Sequence, residues 1–306
     1  MTHSALNPRY ATTVICSAAT FLALVFGFLP TAANSQSLVE TQELLRKGEY
    51  DQVAEICGKA IADGQYGESW RLLKARADFS RGRYVDALDT LDVATGRYTS
   101  SIRLRWLGMQ IAQEAGVTDA TKRWSREIST LVDQRPWSFT DAQSRVTLGR
   151  YLFDGGADPR KILELFYDRA KSSQANFADA YIAAGDLAIA KYDYQTAADE
   201  FKKALAFEPE NADILFGIAQ AYARTDAEKA DQAVQQALES NPYHVPCMLF
   251  VAENLIDGER YIEAEKWITR AENVNPENWK VWALRAVIAH LTADHDREGF
   301  CRRVAL

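Results

Sequence analysis

Large and small apolar residues recur at fixed distances in the second half of the chain. One block has a large residue at Tyr181, a small residue four positions later at Gly185, then Ala197 and Ala204, and ends at Pro209. Residues four apart lie on one face of an α-helix, and a small residue on that face lets a second helix approach closely. The two alanines lie in the second helix, which the proline ends because it has no N–H to donate. The block therefore predicts an antiparallel pair of helices.

The same block returns twice and then begins once more. Its positions are filled by Leu215, Ala219, Ala230, Ala237 and Pro242, then by Met248, Ala252, Ala264, Ala271 and Pro276, and finally by Trp282 and Ala286. A period of about 34 residues is typical of stacked units that bury one another's apolar faces. The pattern therefore predicts a stack of helix pairs, and it contains no indication of a reaction.

The spacing resembles that of the tetratricopeptide repeat family, whose two helices are joined by a Gly-x-Tyr turn. In the first half, Gly48-Glu49-Tyr50 and Gly82-Arg83-Tyr84 match that turn. The resemblance is strong over residues 178–286 and looser before them, where residues 133–140 and 154–160 are predicted to be longer connections. It implies an all-α, right-handed superhelical solenoid of about eight antiparallel helix pairs. We expect divergent repeats over residues 38–173 and regular repeats over residues 174–306, with the last repeat truncated.

Residues 1–37 have a different character. Residues 11–29 carry no charge, and small residues follow Pro30, with candidate cleavage sites after Ala33 or Ser35. This order is typical of a secretory signal peptide, so we expect an exported protein, periplasmic or secreted. The alternative is an uncleaved membrane anchor, because an uncharged stretch of this length just spans a bilayer core of about 30 Å.

Charge and cysteine content narrow the classes of partner. The chain has 35 basic and 42 acidic residues, a formal charge of −7, which disfavours nucleic acid as a partner. A protein or peptide of unknown identity is expected instead, with membrane contact only through residues 11–29 if the leader stays uncleaved. Cys57, Cys247 and Cys301 lack the spacing of zinc ligands, and Cys57 is predicted to be a small core residue.

The sequence contains no recognisable catalytic motif. It has no His-Glu-x-x-His, no Gly-x-Ser-x-Gly and no phosphate-binding loop, so we expect no enzymatic activity, no cofactor and no metal. His290 and His295 stand near two aspartates, but a step of five residues separates their rings on a helix. The segment from Gly155 to Pro159 is predicted to be a turn that starts a helix.

The resemblance implies that the first helices line a concave groove that receives an extended peptide or a helix. The groove-facing positions of the regular repeats are apolar with acidic points: Ile182, Asp186, Ile189, Phe216, Gln220, Arg224, Leu249, Glu253 and Ile256. The family's Lys, Arg and Asn clamp for a terminal carboxylate is missing at these positions. The leading hypothesis is therefore a non-catalytic interaction scaffold with a different ligand, and the alternative is that these residues only pack against the next repeat.

Three further hypotheses concern the whole protein. The chain ends in the second helix of the eighth pair without a polar capping helix. One hypothesis is that it is the scaffold of a longer extracytoplasmic enzyme, for example a zinc peptidase. Another is that its last repeat mediates self-association. With an uncleaved leader, it would be a membrane-tethered structural subunit.

Overall fold

The structure, a computed structural model, describes residues 37–305, so the predicted leader lies outside the described residues except for Ser37. Helices follow one another in eight pairs, as the repeat spacing predicts. The pairs are α1 (Leu38–Arg46) with α2 (Tyr50–Ala62), α3 (Glu68–Ser80) with α4 (Tyr84–Arg97), α5 (Ile102–Glu114) with α6 (Thr118–Gln134), α7 (Ala142–Asp154) with α8 (Pro159–Ile162) and α9 (Asp168–Ser173), α10 (Ala178–Ala190) with α11 (Tyr194–Phe207), α12 (Ala212–Tyr222) with α13 (Ala227–Ser240), α14 (Val245–Asp257) with α15 (Tyr261–Val274), and α16 (Trp279–Leu291) with α17 (His295–Ala305). None of the helices within residues 37–305 has both the length and the apolar character that a membrane crossing requires.

The small residues of the repeat lie where the two helices of a pair cross. A Cβ atom added to Gly185 would lie 2.8 Å from the ring of Phe201, which is 1% exposed. Ala219 and Ala252 hold the same place in the next pairs and are fully buried. Burying a side chain as large as Phe201 stabilises the fold by about 2–3 kcal/mol. The predicted close crossing of each pair is confirmed, and it explains the requirement for Gly or Ala.

The fourth pair departs from the regular repeat in its second helix. Asp158 caps this helix by accepting the N–H of Arg160, and Pro159 occupies its first turn, as the sequence predicts. The helix then widens into a π-helical segment, Leu163–Tyr167, before it continues as α9. This wider turn places Tyr167 against α7, where a Cβ atom on Gly149 would lie 2.3 Å from the tyrosine ring. A π-helical turn of this kind often occurs at functional sites.

The array closes on itself, because the turns of the first two pairs contact loops between the last pairs. The amide of Asn241 donates to the hydroxyl of Tyr50 over 2.9 Å, and the amide of Asn275 lies 3.3 Å from the hydroxyl of Tyr84. Each of these pairs spans 191 residues of chain. Tyr84 lies 34 residues after Tyr50, and Asn275 lies 34 residues after Asn241, so the contact repeats with the period of the solenoid.

Further contacts join the first-half turns to the second-half loops, and we call this line of contacts the seam. Arg46 pairs with Glu208 over 2.6 Å, and Arg81 donates to the carbonyl of Val274 over 3.2 Å. The indole N–H of Trp279 donates to Glu114 over 2.9 Å. Successive first-half pairs therefore contact successive second-half loops.

The turns between helices provide a test of this closure. Gly82 and Gly116 occupy equivalent turns and have φ angles of +75° and +69°, which an alanine adopts with a penalty of about 1 kcal/mol. A Cβ atom on Gly82 would lie 2.6 Å from the side-chain oxygen of Asn275, whereas one on Gly116 has nothing within 4 Å. We expect Gly82→Ala to lower the free energy of unfolding by about 1–3 kcal/mol more than Gly116→Ala in urea titrations. Equal losses would contradict the closure.

The asparagines provide a second test. Asn275 and Asn211 each accept a backbone N–H two residues ahead, but only Asn275 reaches the first half of the array, where it contacts Tyr84 and the carbonyl of Phe79. Asn275→Ala leaves the buried hydroxyl of Tyr84 without its partner, whereas the carbonyl of Phe79 still accepts the N–H of Gly82. It should therefore lower the free energy of unfolding by about 2 kcal/mol more than Asn211→Ala. Urea unfolding measures the difference, and similar losses would show that Asn275 acts only within its own loop.

Candidate functional site

Ion pairs join neighbouring first helices along the inner face of the array. Arg150 on α7 forms two hydrogen bonds of 3.0 and 2.7 Å with Asp179 on α10. Glu253 on α14 lies 2.8 Å from Lys280 on α16. Both pairs use the same two repeat positions. The first is the residue directly after the small residue of a first helix, as Arg150 follows Gly149. The second lies six positions before the small residue of the next first helix, as Asp179 precedes Gly185. These two intervals between successive first helices, or steps, therefore carry an ion pair at equivalent positions, whereas the step from α12 to α14 has Gln220 and Pro246 there.

The step between α10 and α12 holds two acids at these positions. Its two positions are occupied by Asp186 and Asp213, two acids that repel each other. Asp213 is paired instead with His244, whose Nε2 lies 3.0 Å from the carboxylate. The other ring nitrogen of His244 accepts the N–H of Cys247, which places the imidazole proton on Nε2 as a donor to Asp213. Asp186 has only Arg150, at a more distant 3.9 Å.

The positive charge of Arg76, on an early first helix, acts on the carboxylates of this step. Arg76 lies on α3 in the second helix pair, whereas Asp179 and Asp213 lie in the fifth and sixth pairs, yet the charge of Arg76 lowers the pKa of both aspartates. Arg76 is exposed and forms no ion pair within 4 Å among the described residues. The charge of an early helix therefore acts on carboxylates of two later first helices. We call Arg76, Arg150, Asp179, Asp186 and Asp213 the inner cluster.

The carboxylates of the inner cluster differ in their protonation. Confinement by the surrounding repeats raises the pKa of Asp186 to about 6, with Arg150 opposing the rise and Asp179 and Asp213 adding to it. Burial alone would raise the pKa of Asp179, but the charge and hydrogen bonds of Arg150 hold it below its ordinary value. The side chain of Asp186 keeps 57% of its surface accessible, so its carboxylate faces the interior space. The fully ionised cluster has two positive and three negative charges, an excess of one negative charge.

Tyr167 adds a polar group beside this cluster. The residue is 1% exposed, and burial raises the pKa of its hydroxyl, with smaller influences from Arg150, Asp186 and Asp179. Among the described residues, the buried polar side-chain atoms without a hydrogen-bond partner are Nε of Arg83 and Nε1 of Trp124, so the Tyr167 hydroxyl is not one of them. The equivalent position of the other repeats holds Trp124, Phe201, Val234 or Ile268. Packing alone therefore does not require the hydroxyl.

The residues predicted for the groove divide into three groups. Asp186 and Arg224 are exposed, and Ile182, Ile189, Phe216, Gln220 and Glu253 are half-buried along the same helices. Leu249 and Ile256 are instead 2% and 7% exposed and lie in the hydrophobic core, which corrects their placement in the groove. Their core cluster also contains Tyr50 and Leu73, so the closure of the array encloses this part of α14.

The sequence prediction missed most of the inner cluster. It named Asp186, but it did not name the other four residues of the cluster or Tyr167. One signal was available, because Asp179 and Asp213 both precede the small residue of their repeat by six positions. Arg76 and Arg150 carried a second signal, because each directly follows the small residue of its first helix, as Asp186 does.

Other candidate features of the sequence lie apart from this cluster. Among the described residues, Cys57, Cys247 and Cys301 are buried and unpaired, and burial raises the pKa of Cys57 and Cys247 to about 12. No three His, Cys, Asp or Glu side chains within residues 37–305 are grouped for a metal ion. Phe300 and Val304 of α17 are exposed on the last repeat, where self-association was predicted, and nothing covers them in the described chain.

Asp186 should make the stability depend on pH. Its carboxyl binds a proton up to about pH 6 when folded but only to about pH 4 when unfolded, so this group stabilises the fold less as pH rises through that window. Asp186→Asn should gain stability relative to the natural protein between pH 4 and 7, by no more than about 1 kcal/mol because the side chain is solvated.

Carboxyl NMR titration provides the measurement for Asp186. Asp213→Asn serves as the matched variant, since the loss of that neighbouring charge should lower the midpoint of Asp186. A midpoint near 4 for Asp186 in the natural protein would contradict the confinement of the cluster.

No protein-family model and no curated protein matches the chain, but solved structures do. A chain of the APC/C hetero-tetramer Cut9-Hcn1 matches at 13% identity with a TM-score of 0.51, covering 81% of this chain and 48% of that chain. Pseudomonas aeruginosa PilF matches at 16% identity with a TM-score of 0.43, covering 67% of this chain and 90% of that one. YrrB, a TPR protein with an unusual peptide-binding site, matches at 18% identity with a TM-score of 0.34, covering 64% and 97%. The first of these likenesses supports the assignment made from the repeats: the described chain has the tetratricopeptide-repeat fold, an all-α solenoid of helix pairs.

Proposed function

We propose that this protein is an exported, non-catalytic scaffold that binds an extended peptide or a helix of a partner protein in its concave interior. The observation that carries the proposal is the inner cluster, in which charged side chains from α3, α7, α10 and α12 face one interior. Interior side chains that only stabilised the array would be matched in charge, as Glu253 and Lys280 are. An interior with exposed and unmatched charge is suited to a ligand.

The apolar surroundings of the cluster favour a peptide. Ile182, Ile189 and Phe216 are half-buried on α10 and α12, and the ring of Phe216 lies 6.0 Å from that of Phe250. Peptide sites on helical solenoids combine apolar pockets with a few polar groups that orient the chain. The interior of this solenoid has both elements on neighbouring helices. Export is the part of the proposal that rests on the sequence of residues 1–37.

A crosslinking experiment tests the location of the ligand. Peptides of sixteen residues are selected from a random display library on the immobilised protein, and a photoreactive phenylalanine analogue replaces either Gln220 or Gln236. Gln220 lies on the inner face of α12 at the repeat position of Arg150 and Asp186, whereas Gln236 is exposed on the second helix α13. We expect the selected peptides to crosslink from position 220 and not from position 236, because the first helices line the interior. Crosslinks from position 236 alone, or no selected peptide, would overturn the proposal.

A further inference from the structure

We propose that the groove between the second helices α13 and α15 binds one arginine side chain of a partner protein. The proposed peptide site lies along the first helices, so this groove is a separate surface of the molecule. The inference therefore goes beyond the proposed function and does not rest on it.

This groove, which we call the outer groove, has a volume of about 390 Å³ and a mixed lining. Asp231 and Glu239 line it from α13, Val251 from α14, and Trp267 and Arg270 from α15. The two carboxylates form no ion pair with any described residue within 4 Å, and the guanidinium of Arg270 lies 4.2 Å from the centre of the Trp267 ring. Two acids and one base leave an excess of one negative charge, which is complementary to a single cation.

The equivalent place one repeat later is filled by a guanidinium group of the chain itself. Arg285 of α16 lies there against α15, with Nη2 2.7 Å from Glu272 and 3.4 Å from the hydroxyl of Thr269. Its Nε lies 3.4 Å from Glu265, and its guanidinium lies 5.0 Å from the centre of the Trp282 ring. Only 11% of this side chain is accessible to solvent. The fold therefore already binds one arginine at this place, between acids and an aromatic ring.

A shift of 34 residues relates the two places. It matches three residues of the outer groove to Arg285 and two of its partners, namely Val251 to Arg285, Asp231 to Glu265, and Gln235 to Thr269. The carboxylate and a second polar group are thus retained on α13, whereas the chain supplies the short, apolar Val251 in place of the arginine. An arginine from another protein would meet in the outer groove the groups that Arg285 meets one repeat later.

The preceding pair of second helices shows that the acid is not a general feature of the repeat. Between α11 and α13, a shift of 33 residues places Ala198, Lys202 and Ile218 at the positions of Asp231, Gln235 and Val251. Ile218 is 8% exposed, so an apolar side chain fills this place without a carboxylate. The carboxylate accompanies a bound arginine at one place and the outer groove at the other, which favours a cation as the occupant.

Arginine fits the outer groove better than lysine does. A planar guanidinium can stack on an aromatic ring while it donates two N–H groups to one carboxylate, whereas an ammonium is a strongly hydrated point charge. Trp267 provides the ring, and Asp231 provides the carboxylate.

The first test fills the outer groove with an arginine of the chain. In Val251→Arg, the guanidinium should pair with Asp231 as Arg285 pairs with Glu265. Adding Asp231→Asn should then lower the urea midpoint of the Val251→Arg protein by about 0.3 M, and should leave the midpoint of the natural protein unchanged. Asp199→Asn is the control, because it removes an exposed acid of the outer helix α11. Equal effects of Asp231→Asn with and without Val251→Arg would contradict the inference.

A binding experiment tests the groove for an arginine supplied from outside. Nα-acetyl-arginine amide is titrated into the ¹⁵N-labelled protein, and the indole N–H resonance of Trp267, assigned as the one lost in Trp267→Phe, is followed. We expect a saturable shift with a Kd in the millimolar range, about fivefold weaker binding in Asp231→Asn, and unchanged binding in Asp199→Asn. Val251→Arg should abolish the binding, because its own guanidinium occupies the groove, and Nα-acetyl-citrulline amide should give no saturable shift.

Three results would overturn the inference. They are the absence of a saturable shift, equal weakening by Asp231→Asn and Asp199→Asn, and undiminished binding to Val251→Arg. None of them changes the expected crosslink from position 220, so the proposed function stands or falls separately.

Discussion

The contact between the turns of the first repeats and the asparagine loops of the last repeats determines the form of this molecule. Tyr50 and Tyr84 lie in the hydrophobic core, their hydroxyls meet the side-chain amides of Asn241 and Asn275, and the glycine before each tyrosine leaves room for the asparagine side chain. A solenoid normally needs contacts only between neighbouring units. Here a second set of contacts joins units that are distant in the chain, and it brings the first helices of the two halves to face each other.

The electrostatics of the interior follow from that curvature. The charge of Arg76 lowers the pKa of Asp179 and Asp213 although two and three helix pairs, respectively, lie between them in the chain. The pKa of Asp186 is raised mainly because its carboxyl loses solvent in this interior, and the neighbouring charges of Asp179 and Asp213 add to the rise. The same confinement distinguishes this interior from the outer face, where pairs such as Lys59 with Glu55 remain exposed.

The sequence predicted the helix pairs well because their packing is local and periodic. The distance between Tyr181 and Gly185, or between Ala197 and Phe201, encodes a contact within one pair, and the period repeats it. The closure was not predictable in the same way, since nothing in the Gly-x-Tyr turns or in the Asn-Pro loops specifies that they meet. Leu249 and Ile256 were wrongly placed in the groove for the same reason. The repeat pattern assigns them to the face of α14 that lines the groove, but it does not show that the first repeats cover this part of α14. The inner cluster was predicted only at Asp186, because Asp179 and Asp213, although they lie in regular repeats, are not among the predicted groove positions.

The seam also has a consequence for how the chain folds. Linear repeat arrays can unfold from one end, one unit at a time, because each unit depends only on its neighbours. The hydrogen bonds between residues 191 positions apart remove that freedom, since loss of either terminal pair exposes the buried tyrosines or asparagines of the other. Closing so long a loop costs entropy that is recovered only when both halves are formed. The array is therefore expected to behave as one cooperative unit, whose ends fray together or not at all.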